Sequence, residues 1–376
     1  MKILIISHDA SRTGAPILLL NLAAALKSKG IEIDFLLKRG GSLENDFRAL
    51  GTATVFYKDE GHSLMSRVRR KLLKPRHADI TSFPWSSYDL VLSNTITNGD
   101  LLPLIRRYYQ GTIVSYIHEL EMAAGFFTNP TDEQALVQHT TLFATPCQTV
   151  RQFIIDRYKL PADKVKVLPY YIPAKKSGSE TAAARSPRDF FVGGAGTVDW
   201  RKSPDLFVQT AVQVFSQRPD ARLRFLWKGA PDGGVDLARV RYDIKKAGLN
   251  DRVEFLPASS DMASFYRSLD VFLLTSREDP YPLVVLEAAD VSVPTICFSG
   301  AGGSTEFVER SGGGVCVPYL DTAAMARAVL DCYDDRPAAK RSGAQARQLL
   351  TETHQSIDYI ANQFESILKP ALQNAL

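Results

Sequence analysis

Two carboxylates and the start of a predicted helix lie close together in the segment 276–289. Asp279 and Glu287 are eight residues apart and flank Leu283 and Val284, where a proline-containing loop leads into the helix. Backbone N–H groups at a helix N-terminus can bind a phosphate, and a carboxylate further along can accept hydrogen bonds from sugar hydroxyls. The segment can therefore bind both halves of a nucleotide sugar. Glu287 lies among apolar residues and needs a partner; a structural ion pair is the alternative to a ribose diol.

A second candidate phosphate site follows the predicted strand at 190–192. Three glycines, the last of them Gly196, precede the adjacent cations Arg201 and Lys202 and a helix predicted from Ser203. Glycine lets backbone N–H groups approach an anion closely, and the two cations supply positive charge. The alternative is that both cations are solvated at the start of an ordinary helix.

Gly14 and His118 are the candidate site residues in the first half of the chain. Gly14 lies in a turn between a strand that ends at Ser7 and a helix predicted from Pro16, whose N-terminus can receive an anion. His118 follows the predicted strand 112–117, and doubly wound sheets bind ligands beyond the carboxyl ends of their strands. An ordinary turn and a structural histidine are the alternatives.

The segment 64–76 is strongly basic. It contains six lysines and arginines and no acid, and Leu64, Val68 and Leu72 fall on one face of a helix. This pattern predicts a basic amphipathic helix that rests on an anionic membrane surface or binds an anionic acceptor. A solvated surface helix is the alternative.

Short apolar strands alternate with helical patterns along most of the chain, as in parallel sheets covered by helices on both faces. The alternation stops at 174–189, which is rich in lysine, serine and alanine, and then starts again. We therefore expect two Rossmann-like doubly wound α/β domains, 1–173 and 190–354, joined by a linker at 174–189 and facing across a cleft. A last predicted helix, within 355–376, fits neither pattern.

Composition excludes several classes of protein. A net charge of +4 over 376 residues gives no signal for nucleic-acid binding, and the four cysteines form no CxxC pair, so we expect reduced core cysteines. The sequence has no zinc-hydrolase, serine-hydrolase or P-loop motif. No apolar run approaches the ~18–20 residues of a membrane span, and Met1–Ser7 is too short for a signal sequence. We expect a cytoplasmic protein, with peripheral contact to the inner face of the cell membrane through 64–76.

Four segments together resemble the family 4 (group 1) glycosyltransferases. They are the turn at Gly14, the segment 116–119, the glycine-rich segment that ends in Trp200-Arg201-Lys202, and the segment 279–287. The resemblance implies the two-domain GT-B fold and a retaining transferase that uses a UDP- or GDP-sugar donor. It implies a glycan, lipid-linked or other small acceptor that docks mainly on the first domain, and a final helix, about 355–376, that crosses back to it. No cofactor or metal is implied, because cations and helix N-termini neutralise the leaving diphosphate.

The resemblance also implies roles for the candidate residues. Those expected to bind the nucleotide sugar are Gly14, Gly196, Arg201, Lys202, Leu256, Pro257, Asp279, Leu283, Val284 and Glu287. Those expected to act in catalysis are His118, Asp279, Arg201 and Lys202. Gly14, Arg201 and Lys202 would contact the diphosphate, assisted by the N–H groups of Leu283 and Val284. Glu287 would bind the ribose, and Leu256 and Pro257 would hold the base. Asp279 would face the donor sugar, and His118 would lie beside the reacting carbon.

The chain departs from the family pattern at two places. The first acid of the family motif is Asp279, and Pro280-Tyr281-Pro282 replaces the usual Gly-Phe-Gly between the acids. Gly196 stands where many members have arginine, and Arg201 is expected to substitute. Two alternatives remain: a nucleotide-sugar epimerase, which would need no acceptor, and a nucleotide-sugar-binding protein without catalytic activity.

Overall fold

A computed structural model describes residues 1–57, 77–174, 189–259 and 261–373. The chain divides into two compact units, Met1–Pro173 with His354–Leu376, and Ala174–Thr353. We call them the first and the second domain. The basic segment 64–76 and residues 175–188 of the predicted linker lie outside the described residues.

The first domain contains a parallel sheet of seven strands in the order β3-β2-β1-β4-β5-β6-β7. The strands are β1 (Lys2–Ser7), β2 (Glu32–Arg39), β3 (Thr52–Tyr57), β4 (Leu90–Asn94), β5 (Thr112–Tyr116), β6 (Leu142–Thr145) and β7 (Val165–Val167). Ile3, Leu4, Ile5 and Ile6 are all fully buried. Such continuous apolar strands are typical of a parallel sheet that helices cover on both faces.

Helices connect these strands. They are α1 (Gly14–Ser28), α2 (Glu44–Leu50), α3 (Leu102–Arg106), α4 (Glu121–Phe127), α5 (Pro130–His139) and α6 (Gln148–Tyr158), with 3-10 turns at Trp85–Ser87, Ile96–Leu101 and Ala162–Lys164. Helix α5 begins with Asn129 as its cap, whose side chain accepts a hydrogen bond from the Asp132 N–H, and has proline at its first position. Both features stabilise a helix start.

The second domain contains a parallel sheet of six strands in the order β10-β9-β8-β11-β12-β13. The strands are β8 (Phe190–Ala195), β9 (Leu223–Ala230), β10 (Val253–Pro257), β11 (Val271–Leu274), β12 (Thr295–Phe298) and β13 (Gly314–Val317). The helices are α7 (Pro204–Gln217), α8 (Val235–Lys246), α9 (Met262–Arg267), α10 (Leu283–Asp290), α11 (Ser304–Ser311), α12 (Thr322–Asp334) and α13 (Arg336–Thr353). The prediction of two doubly wound α/β domains is confirmed.

The final helix, α14 (Ile357–Gln373), is part of the first domain. It packs against α1, and Lys29 forms an ion pair with Asp358 between the two helices. The chain just before α14 is also fixed to the first domain, because the Ile172 N–H donates to the His354 carbonyl at 2.8 Å.

Two further features concern the described residues as a whole. All four cysteines are free thiols, and Cys297 and Cys316 lie side by side on the paired strands β12 and β13. Over the ranges described, none of the helices is both long enough and apolar enough to cross a lipid bilayer.

The aromatic core of the second domain gives a test of this packing. Phe207 on α7 is fully buried and packs edge-on against Phe225 and Trp227, with ring centroids 5.4 and 5.3 Å away. We expect Phe207→Ala to lower the free energy of unfolding of this domain by about 3–5 kcal/mol, because it leaves a cavity. Phe126→Ala, at a side chain that is mostly exposed, is the matched control. Equal changes in the urea midpoints of the two variants would contradict this packing.

Candidate active site

Strands β8 and β11 are neighbours in the sheet of the second domain. The chain continues from β8 towards one edge of the sheet and from β11 towards the other, so the strand order reverses between them. In open α/β sheets, ligands bind beyond the carboxyl ends of the strands at such a switch point. The segment 196–203 follows β8 and the segment 275–282 follows β11. Two of the candidate segments, far apart in sequence, therefore meet at this point.

An ion pair joins the two segments. The Lys202 ammonium donates a hydrogen bond to Oδ2 of Asp279, which also accepts one from the Ser276 hydroxyl at 3.2 Å. The Arg201 guanidinium lies 3.7 Å from the other carboxylate oxygen of Asp279. The side chains of Lys202 and Asp279 are only 14% and 9% exposed, while that of Arg201 is 38% exposed. Arg201 and Lys202 thus both lie against the Asp279 carboxylate, and we call this group of three residues the Lys202–Asp279 site.

Local backbone geometry places the two cations. The Lys202 N–H donates to Oδ1 of Asp199 at 2.9 Å, and Nη1 of Arg201 donates to the Glu278 carbonyl at 3.1 Å. Gly196 has a φ of +147°, and a Cβ there would lie 3.1 Å from Cγ of Lys202. Glycine is therefore needed at 196 both for its backbone conformation and for the space that the lysine stem occupies.

The glycine-rich loop 300–303 holds the backbone of Asp279. The Asp279 N–H donates to the Ala301 carbonyl, and the Gly303 N–H donates to the Pro280 carbonyl, both at 2.8 Å. A Cβ on Gly302, whose φ is +150°, would lie 1.7 Å from the Asp279 carbonyl oxygen. Glycine at 302 thus lets the backbone approach Asp279 closely, and this contact fixes the carboxylate beside Lys202.

Helix α10 begins at Leu283, as the sequence predicts, and Pro282 provides no side-chain cap. The N–H groups of Leu283 and Val284 belong to the first turn, which has no intrahelical acceptors, so they can bind an anion. Glu287, one turn further along α10, accepts a hydrogen bond from the Tyr266 hydroxyl at 3.1 Å. Tyr266 is fully buried on α9 and orients the carboxylate.

Leu256 and Pro257 are the last residues of β10, an edge strand of the second sheet. Leu256 is half-buried and Pro257 is exposed. Their expected contact with a base stays a prediction.

His118 is buried in the first domain, and both of its ring nitrogens have partners there. Nε2 lies 2.6 Å from Oδ1 of Asn94, and Nδ1 lies 3.1 Å from the Tyr170 hydroxyl. Because an amide oxygen only accepts, Nε2 donates and Nδ1 accepts from Tyr170. Burial lowers the pKa of His118 from 6.5 to about 3, so the imidazole is neutral. Its predicted position beside a reacting carbon stays a prediction.

Asn94 also links His118 to the turn that contains Gly14. Nδ2 of Asn94 donates to the Ala15 carbonyl at 3.3 Å in the first turn of α1. Gly14, the first residue of α1, is exposed, and a Cβ there would meet nothing within 4 Å. Asn94 thus connects His118 to Ala15, the residue that follows Gly14.

Sequence reasoning missed Asn94, Tyr170 and Tyr266. Each contacts a predicted residue from 21 to 52 residues away in the chain. Asn94 alone carried a local signal, because it ends strand β4, directly beside β1 at the switch point of the first sheet.

Comparison with known proteins connects this geometry to a family. Residues 181–349, which lie within the second domain, match the family model of the glycosyl transferases group 1. The D-inositol 3-phosphate glycosyltransferase of Nocardia farcinica is 26% identical over 280 residues, which are 69% of this chain and 62% of that protein. The lipopolysaccharide core biosynthesis mannosyltransferase LpsB of Rhizobium meliloti is 30% identical over 210 residues, 52% of this chain and 57% of LpsB. The chain thus spans about three fifths of each relative.

Solved structures resemble the whole chain. The crystal structure of Anabaena Alr3699/HepE in complex with UDP and glucose matches with a TM-score of 0.77 at 18% sequence identity. The match covers 98% of this chain and 100% of that one. At this identity the likeness shows the fold, and the prediction of a GT-B fold is confirmed.

Glu119, next to His118, gives a pH-dependent test of the first-domain network. Its carboxylate accepts hydrogen bonds from the N–H groups of His118 and Ile96, and burial raises its pKa from 4.5 to about 7. Below pH 4.5 the group is protonated in both the folded and the unfolded state, so it does not affect stability. As the pH rises from 4.5 towards 7, the unfolded chain releases this proton while the folded protein keeps it. The free energy of unfolding therefore falls by up to about 1.4 kcal/mol per pH unit.

We therefore expect Glu119→Gln to gain stability relative to the wild type between pH 4.5 and about 7. Urea unfolding followed across that range measures the difference. Glu32→Gln, at the exposed first residue of β2, is the matched control. A constant difference between Glu119→Gln and the wild type across the range would contradict the raised pKa.

Proposed function

We propose that this chain is a group 1 glycosyltransferase that moves a sugar from a nucleotide-diphosphate donor to an acceptor. The observation that carries the proposal is the Lys202–Asp279 site at the switch point of the second domain. This site places two cations at the switch point, beside the loop that leads to the uncapped start of α10. The match of 181–349 to group 1 glycosyl transferases supports this assignment.

Lys202 and Arg201 would neutralise the diphosphate. In sugar transfer from such a donor, negative charge builds up on the leaving phosphate oxygen as the glycosidic bond breaks. Cations held in place before the reaction stabilise this charge without reorganisation, and they act more strongly where water is excluded. Lys202 is largely buried and fixed by Asp279, so its ammonium is already positioned. We propose that these protein cations, with the N–H groups of Leu283 and Val284, take the place of a metal or other cofactor.

The rest of the donor would lie along the same domain. Glu287, oriented by Tyr266, would accept hydrogen bonds from the ribose hydroxyls. Leu256 and Pro257 would contact the base, and we propose uracil because UDP is the nucleotide in the HepE complex. Asp279 would face the donor sugar while its other contacts hold Lys202.

The first domain would contribute the acceptor site and His118. A neutral imidazole in a buried site can be approached by a sugar without an adverse positive charge, which fits the role of His118 beside the reacting carbon. The acceptor would be a glycan or a lipid-linked sugar. A cytoplasmic location with contact to the inner face of the membrane through 64–76 rests on the basic composition of that segment.

Lys202→Ala tests the role of the ammonium. We expect kcat to fall by roughly 30- to 1,000-fold, about 2–4 kcal/mol in the barrier, because the leaving phosphate loses a fixed cation. Steady-state transfer from UDP-glucose measures it, with thermal melting to show that the variant is folded. Lys245→Ala, an exposed lysine in the last turn of α8, is the matched control. Wild-type turnover by Lys202→Ala would refute the assignment.

We propose that transfer proceeds with retention of configuration at the anomeric carbon. This finer claim is supported by the resemblance in the segments around Gly14, His118 and Asp279–Glu287. Proton NMR of the isolated product should show the same anomeric configuration for the transferred sugar as in the donor, because the new glycosidic bond fixes that configuration. An inverted anomer would overturn retention and leave the donor site unaffected.

A further inference from the structure

A cavity in the first domain lies outside the network of His118 and Asn94. Its volume is about 690 Å³, within the range of roughly 300–1,000 Å³ typical of small-molecule sites. Its lining includes Gly125 and Thr128 at the end of α4, Gln134 and Gln138 on α5, and Arg157 on α6. Three consecutive helices thus form one concave surface.

Two amides give this cavity hydrogen-bonding capacity. Gln134 and Gln138 are four residues apart on α5, so they lie on the same face of the helix. Both are exposed, and neither side chain is hydrogen-bonded to another described residue. Each amide offers two donors and an acceptor, which is the complement of a pair of sugar hydroxyls.

The charges on the cavity wall cancel. Arg157 and Glu133 form a two-point ion pair, with Nη2 and Nε of the guanidinium 2.7 and 3.0 Å from the two carboxylate oxygens. The pair satisfies both groups and leaves no net charge for a phosphate or a carboxylate ligand. The wall therefore favours a neutral polar ligand over an anionic one.

Two exposed aromatic residues stand next in sequence to residues that line the cavity. Phe126 and Phe127 are 74% and 68% exposed, and they stand in sequence between Gly125 and Thr128, which line it. Large aromatic side chains exposed next to each other are a sign of a binding surface. A pyranose ring presents an apolar face of C–H groups that packs on an aromatic ring, while its hydroxyls point to the sides.

The cavity is also close to His118 along the chain. Helix α4 begins at Glu121, three residues after His118, and spans about 10 Å to Phe127 at a rise of roughly 1.5 Å per residue. Residues that line the cavity therefore follow His118 closely in the sequence.

We propose that this cavity binds a neutral oligosaccharide, as the outer subsite for the acceptor. The inference rests on the proposed function for its role as an acceptor site. Binding of the sugar itself does not depend on that function, so the two can be tested separately.

The test measures binding of three neutral trisaccharides, maltotriose, cellotriose and chitotriose, by saturation-transfer NMR and calorimetry without donor. We expect at least one to bind, and the double variant Gln134→Ala/Gln138→Ala to weaken it about tenfold or more, since several hydrogen bonds are lost. Phe126→Ser/Phe127→Ser should weaken it as well. Gln152→Ala, an exposed glutamine on α6 paired with Asp156 on its own helix, is the matched control and should change affinity less than about twofold.

The thermal shift produced by UDP should be the same in the wild type and in all of these variants. No binding of any trisaccharide, or equal affinity in the double glutamine variant, overturns the proposal. Binding to anionic vesicles that depends on Phe126 and Phe127, without trisaccharide binding, also overturns it and identifies a membrane contact. Loss of the UDP shift in the wild type would instead refute the proposed function.

Discussion

The ion pair between Lys202 and Asp279 is the interaction on which the second domain's site depends. It joins the loops after β8 and β11 across 77 residues of sequence, and both side chains are largely withdrawn from water. Burying two charges costs free energy, and such a pair is tolerable only when the geometry is good and further hydrogen bonds complete it. Ser276 supplies one of these bonds, while Gly196 leaves room for the Lys202 side chain and Gly302 lets the loop 300–303 pack against the Asp279 backbone. The pair keeps a lysine ammonium fixed and desolvated, which is the state in which it best stabilises a developing phosphate charge.

The two domains use different chemistry around their candidate residues. In the second domain, Lys202 and Arg201 are both held against the Asp279 carboxylate, and two fixed cations suit an anionic group. In the first domain, His118 is neutral, tied by Asn94 and Tyr170, and the cavity wall at Glu133 and Arg157 has no net charge. This division matches a reaction in which one substrate carries a diphosphate and the other is a neutral sugar.

Much of the fold was predictable from sequence because buried parallel strands are continuous apolar runs and because both domains repeat the same alternation. The start of α10 at Leu283 was also predictable, since Pro282 ends the loop before it. Helices α4 to α6 were not, because each buries only one or two side chains and so has little apolar periodicity.

Among site residues, Glu287 stood out as an acid on an apolar helix. Its partner Tyr266 did not, since that contact exists only once α9 and α10 pack together. For the same reason, the sequence does not reveal that the glycine-rich loop 300–303 packs against the Asp279 backbone.

The most direct test of the central claim is calorimetric titration of uridine, UMP and UDP into the wild type and Lys202→Ala. If Lys202, held by Asp279, binds the diphosphate, the wild type will gain affinity with each added phosphate. The variant will lose most of the gain between UMP and UDP while binding uridine as before. An equal gain from UMP to UDP in the variant and the wild type would contradict the account.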